Sequence, residues 1–212
     1  MALVLVLWMA AAQAAQIPGR VAISSDGNKH DCDDIFASAV TIAILARTGN
    51  AGRLRYYGYA DHHWATSGGC NGGDREYEMY LSTQETARMY GGFDLTRFVN
   101  ARAERHRAVT MLRNEINKST ARDPLWIIAA GPMDVVGRAL SSAESNRRRN
   151  VTVISHSKWN DQHADTPEKK EGHKGWTWKD ISKMNSPPKL MHLPDQNKSL
   201  KTRHSAYYLW RD

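Results

Sequence analysis

Residues 20–48 read RVAISSDGNKHDCDDIFASAVTIAILART, and this stretch decides the fold class. Its first part, Arg20–Ser25, is β-prone and runs into Asp26-Gly27-Asn28, a turn sequence. From Asp33 to Thr48 the apolar residues Ile35, Ala39, Ile42, Ala43 and Ala46 recur at helical spacing. Gly49 and Asn50 then supply the usual helix stop. Strand, tight turn and helix in that order open a βαβ unit.

The pattern repeats outward. Leu54–Ala60 reads as a second strand and is followed by Asp61-His62-His63-Trp64. Thr66–Asp74 is glycine-rich, a mobile lid or a plain surface loop. Glu76–Tyr90 is predicted helical, with Gly91-Gly92 ending it, and Asn100–Ser119 reads as one long charged amphipathic helix. Leu125–Ala130 is a continuous apolar run, suited to a central parallel strand, and Gly131-Pro132 breaks it. A helix over Asp134–Ala143 and a strand over Val151–Ser155 complete the series. Alternation of this kind predicts an α/β fold: a doubly wound, mostly parallel sheet with flanking helices and a Rossmann-like core. Residues 158–204 are rich in Lys, His, Asp, Asn and Pro and read as a long loop around a substrate or as a region ordered by sequence missing here. The apolar finish, Tyr207-Tyr208-Leu209-Trp210, leads to the expectation that the domain, residues 16–212, is incomplete at its C-terminus.

With 212 residues, 41% hydrophobic and 24% charged, the chain suits one globular domain rather than a disordered one. Lys plus Arg number 29 against 22 Asp plus Glu, a formal charge of +7, but these residues are scattered and no aromatic-interleaved motif accompanies them. A nucleic-acid partner is therefore not expected. Met1–Met9 is almost wholly apolar and Ala10–Ala15 small-residue rich, so residues 1–15 read as a signal peptide and the protein as exported, periplasmic or secreted. No membrane association is expected once it is cleaved. Cys32 and Cys70 fit equally a disulfide or two free thiols. A homo-oligomer is left open.

Asp26, Asp31, Asp33 and Asp34 crowd four carboxylates between strand and helix. Capping at a helix N-terminus accounts for one or two of them. Four repel unless a cation sits among them, and hard oxygen ligands suit Ca²⁺, or else Mg²⁺. Asn28 adds a neutral oxygen, and Gly27 lets the turn bend. The spacing is neither that of an EF-hand nor that of a phosphate loop. In a doubly wound sheet ligands bind at the carboxyl ends of strands. Three of the strands read here end in polar groups: Asp26 onward, Asp61-His62-His63, and His156 onward. His62 and His63 are each a leaving-group acid or a solvent-facing residue, and Trp64 is a stacking platform or a rim residue. Asp161 and His163 have metal spacing, with exposed loop residues as the plainer reading.

The acidic turn, with Asp33-Asp34 opening a helix, resembles the first motif of the inosine-uridine nucleoside hydrolases. Ile127-Ile128-Ala129-Ala130-Gly131-Pro132, leading into a helix, resembles that family's second landmark, and the resemblance spans about residues 20–155. It implies a calcium-dependent hydrolase of N-glycosidic bonds. Carried over residue by residue, it makes Asp34 the metal ligand that ends the motif, Asp33 a ribose contact, Asp26 the opening aspartate, and Ala129 or Ala130 a carbonyl donor. Asn28 stands nearest the family's second aspartate, so the general base becomes Asp26 or Asp31, with Asp26 favoured. Asn160, after the last strand, falls where the family binds sugar hydroxyls. The family's Thr-Asn after Gly-Pro is replaced by Asp134-Val135, and its downstream metal aspartate has no counterpart here. The expected substrate is a nucleoside or other small sugar. The alternatives are an exported carbohydrate-active enzyme on a poly- or oligosaccharide, and a non-catalytic sugar-binding module or inactive fragment.

Overall fold

In a computed structural model the structure describes residues 16–27, 32–62, 76–162 and 175–194, without the side chains of Cys32 and Asp33. The segment read as a signal peptide, together with Asn28, Asp31, His63, Trp64, Cys70, His163 and the end of the chain, lies outside the described residues. Six strands form one parallel sheet: β1 (Arg20–Ser25), β2 (Leu54–Tyr59), β3 (Phe98–Asn100), β4 (Leu125–Ala130), β5 (Val151–Ser155) and β6 (Lys189–His192). Their order is β3-β2-β1-β4-β5-β6, that of a doubly wound Rossmann-like sheet. The helices are α1 (Cys32–Arg47), α2 (Glu76–Tyr80), α3 (Thr86–Tyr90), α4 (Arg105–Asn117), α5 (Asp134–Ser141), α6 (Ser145–Arg148), α7 (Lys158–Gln162) and α8 (Trp178–Ser182). None of the described helices is long and apolar enough to cross a membrane.

Strand alternation divides the core into two layers. Val21 and Ile23 of β1 pack with Ile35, Ile42 and Leu45 of α1, and with Tyr57 and Tyr59 of β2. Ala22, between them, points the other way and joins Leu112 and Ile116 of α4, Ile127 of β4 and Leu140 of α5. The period-2 geometry of a strand requires this division. At the amino end of β1, buried Arg20 pairs with Glu115 of α4 at 2.8 Å and with Asp123 at 2.7 Å, tying the start of this central strand to α4 and to the turn after it.

Several sequence expectations need correcting. The helix expected over Asn100–Ser119 is shorter, because Phe98–Asn100 pairs with β2 as a strand and the helix starts only at Arg105. Three residues are too few to show a period, so charge pattern alone extended the helix. The helix expected over Glu76–Tyr90 carries a π-helical turn at Leu81–Glu85 between α2 and α3. Within residues 158–204, read as loop, the chain forms α7, α8 and the edge strand β6. The Asp180–Thr177 capping box that starts α8 and the short, half-exposed β6 have little apolar periodicity to announce them. β4 is buried only on its α4–α5 side, through Leu125, Ile127 and Ala129, while Ile128 is 38% exposed on the other.

Candidate functional site

β1 leads into α1 on one face of the sheet, and β4 leads into α5 on the other. The connections leaving these paired strands therefore diverge, and the point between them is the crevice position at which a doubly wound sheet receives a ligand. Asp26 follows β1 and is buried there. Gly27 comes next with φ +75°, a conformation that favours glycine. A Cβ on Gly27 would lie 2.4 Å from Met79 Sδ and 2.9 Å from Asp34 Cβ, so the glycine is what lets the turn close against α1. Asp34, in the first turn of α1, accepts a hydrogen bond from the Ser25 hydroxyl at 3.1 Å.

The end of β2 is fastened to the same turn. Ala60 takes a positive φ of 56°, rare for a residue with a side chain, and its N–H donates to the Asp26 carbonyl at 2.9 Å. The Asp61 N–H donates to the Ser25 carbonyl at 3.1 Å. Asp61 is thereby carried in beside β1, where it is only 1% exposed and its Oδ2 accepts the Ser24 hydroxyl at 2.6 Å. Its Oδ1 is buried and has no hydrogen-bond partner among the described residues. Burial above all, and then the charges of Asp34 and Asp134, push its pKa up to about 8, against the opposing Ser24 hydrogen bond. Burial and the neighbouring Asp61 likewise raise the Tyr56 hydroxyl above its ordinary range.

Gly131, the first residue after β4, closes the arrangement. A Cβ there would sit 2.4 Å from Asp61 Oδ1 and 2.9 Å from the Asp26 nitrogen. The glycine thus marks the place where the ends of β1, β2 and β4 meet. Ala129, the proposed carbonyl donor, is buried in β4 opposite Ser24 of β1.

His62 follows Asp61 and is 2% exposed, so the solvent-facing alternative does not hold for it. Its ring meets Trp159 of α7 edge-on, with centroids 5.4 Å apart. Asn160, beside Trp159, is buried. Asp161 is not the exposed loop residue of the plainer reading: it accepts the Ser155 hydroxyl at 2.7 Å and pairs with His192 Nε2 at 3.0 Å. The structure therefore brings Asp26, Asp34 and Ala129 to the crevice and Asn160 to the neighbouring strand end, alongside the Trp159 that His62 touches. Asn28, Asp31, His63 and the side chain of Asp33 lie outside the described residues. Among the described residues no three His, Cys, Asp or Glu side chains group as a metal site. Asp26 and Asp34 are nevertheless hard oxygen donors on one turn, the chemistry that Ca²⁺ or Mg²⁺ prefers.

Sequence reasoning noted Asp61 as a strand end but did not select it. The available signal was positional: Asp61 follows β2 as Asp26 follows β1. Trp159 and His192 carried no signal short of the fold itself.

No family model matches the chain, and no solved structure matches it significantly. A protein of Formosa agariphila bearing the name Uncharacterized protein P22 is 32% identical over 203 residues, which span 94% of this chain and 71% of that protein. Likeness over that breadth relates whole domains rather than one turn or one strand. The chain belongs to the family of that Formosa agariphila protein.

Proposed function

We propose that the protein is a metal-dependent hydrolase that cleaves a glycosidic bond, most simply the N-glycosidic bond of a nucleoside, in the crevice between β1 and β4. The observation that carries this reading is that buried Asp26 and buried Asp61 are packed at one point, the backbone of the first and the carboxyl of the second closing on Gly131. Breaking a glycosidic bond builds positive charge on the sugar, and the carboxylates of the acidic turn, Asp26 and Asp34, would stabilise that charge, while Asp61 stays neutral beneath them. The resemblance of the acidic turn and of the Ile127–Pro132 stretch to the nucleoside hydrolases supports the same reading.

In this proposal Asp26 and Asp34 hold the cation, with Asn28 and the Ala129 carbonyl completing the oxygen set. A bound Ca²⁺ or Mg²⁺ supplies Lewis acidity and orients sugar hydroxyls. Asp26 takes the proton of the attacking water, and Asp31 is the second candidate for that role. Asp33 and Asn160 hold the sugar hydroxyls. His62, packed against Trp159, protonates the leaving group, and His63 contacts it. Asp61 keeps the crevice floor compact and lowers its net negative charge by holding a proton.

The test is direct. The protein is incubated with inosine or uridine and calcium, and free base is measured. Release of base that Asp34→Ala abolishes supports the reading. Trp159, 42% exposed beside His62, favours a second reading in which an exported enzyme cleaves a larger saccharide, since an open indole suits a sugar face. Oligosaccharide cleavage without nucleoside cleavage selects that reading. Sugar binding without turnover, unaffected by Asp34→Ala, reduces the protein to a binding module.

A further inference from the structure

On the α4–α5 face of the sheet lies an open groove of about 580 Å³ whose lining includes Arg105, His106, Arg138, Ser141, Ser142 and Trp176. Among the described residues no carboxylate lines it. Its organiser is Asp134, a buried residue beneath it. Asp134 Oδ2 accepts from Arg105 Nη2 at 2.7 Å and from Arg138 Nε at 2.8 Å, and its Oδ1 accepts the Trp176 backbone N–H at 3.1 Å. One carboxylate thus serves two guanidiniums and leaves a net positive charge. Each arginine side chain remains 34% exposed. Each gives Asp134 one N–H, and a guanidinium has five.

Trp176 is placed with equal care. Gly137 of α5 lies so close that a Cβ there would sit 2.2 Å from Trp176 Cβ and 2.4 Å from its Cγ. The missing side chain is what lets the indole lie down on α5 and form a wall. Trp176 also lines a neighbouring cavity of about 390 Å³ with Asp180 and Lys183. The Ser141 and Ser142 hydroxyls donate to the Arg138 carbonyl at 3.0 and 2.8 Å, which leaves their oxygens as acceptors for ligand hydroxyls.

We propose that this α4–α5 groove is a second ligand site, taking a cyclic small molecule that bears an oxyanion. Arg105 and Arg138 hold its carboxylate or phosphate, and Trp176 contacts its ring. Guanidinium forks match either oxyanion, and Asp134 fixes both forks before a ligand arrives, which lowers the entropic cost of binding. The site stands whether or not the crevice is hydrolytic.

The experiment uses the full chain and four probes at constant ionic strength: glucuronate, ribose 5-phosphate, and the neutral sugars glucose and ribose. The readout is the Trp176 indole N–H signal in a ¹H–¹⁵N spectrum, assigned with Trp176→Phe. A saturable shift with a charged sugar and none with its neutral counterpart is expected. The tighter of the two charged sugars identifies the oxyanion as carboxylate or phosphate. Arg138→Gln should weaken that binding about tenfold, the worth of one charge-assisted hydrogen bond. If Arg138→Gln melts early, Arg138→Lys keeps the charge beside Asp134 but loses the planar fork, and affinity must still fall. Equal shifts with charged and neutral sugars, or unchanged affinity in Arg138→Lys and Arg105→Gln, overturn the proposal.

Discussion

The Ser24 hydroxyl donates to Asp61 Oδ2 at 2.6 Å across two neighbouring strand ends. That bond holds one carboxyl oxygen while the other is buried with no described partner, an environment that favours the neutral acid. The group therefore links folding to pH.

The sign follows from its raised pKa. The ordinary carboxyl value is 3.8 and burial lifts that of Asp61 to about 8, so between these values the folded chain holds a proton that the unfolded chain has lost. The stability it contributes is full below 3.8 and falls as pH rises to about 8, by up to about 1.4 kcal/mol per pH unit. Asp61→Asn keeps an acceptor for Ser24 and removes the titration. Thermal melts across that window should show the wild type losing stability relative to Asp61→Asn as pH rises. Parallel curves for the two proteins would mean that Asp61 is ionised in the fold.

Gly131→Ala tests whether the three strand ends meet as closely as the structure has them. The added methyl would sit 2.4 Å from Asp61 Oδ1, with the Asp26 backbone nitrogen close by at 2.9 Å, so neither side yields cheaply. Overpacking of this kind costs about 1–3 kcal/mol. The denaturation midpoint should fall accordingly, and under the hydrolase proposal the release of free base should fall with it. A variant as stable and as active as the wild type would show that the strand ends have room to spare.

The opposite end of the sheet separates stability from function. Glu115 pairs with buried Arg20 at 2.8 Å, and Arg97 and Lys118 also reach it. Glu115→Ala leaves the Arg20 guanidinium with Asp123 as its remaining carboxylate, and breaking such a pair costs about 3 kcal/mol. Arg20 opens β1 whereas Asp26 follows its end, so any catalytic constant found under the hydrolase proposal should not move in the folded fraction. A change in that constant, with stability preserved, would contradict this division.

How legible all this was in the sequence depended on burial. β1, β2, β4 and β5 announce themselves because each is an apolar run cut off by a turn. β3 and β6 do not: one has three residues, and the other, at the sheet edge, has exposed ends, a half-buried middle and no period-2 pattern. Asp26 and Asp34 stood out because charge was crowded on one short segment. Asp61 stood alone in the sequence, and only the folded chain shows it buried beside β1. Asp134 read as a departure from a family motif, while the fold makes it the shared partner of Arg138, one helical turn on, and of Arg105, which only the packing of α4 on α5 brings to it.

Calcium offers the sharpest test of the acidic turn. A cation that binds only the folded chain raises its stability by mass action, by about 2.7 kcal/mol at a hundred times its dissociation constant. The chelator-treated protein should therefore melt higher as calcium is added, with magnesium weaker or silent. Asp34→Ala loses the hydrogen bond from Ser25 in any case, a cost of about 1 kcal/mol that is independent of the ion. The calcium-dependent increment is thus the quantity to compare, and it should vanish in the variant. A wild type indifferent to millimolar calcium and magnesium removes the cation from the mechanism. An increment that survives Asp34→Ala moves the ion away from the start of α1.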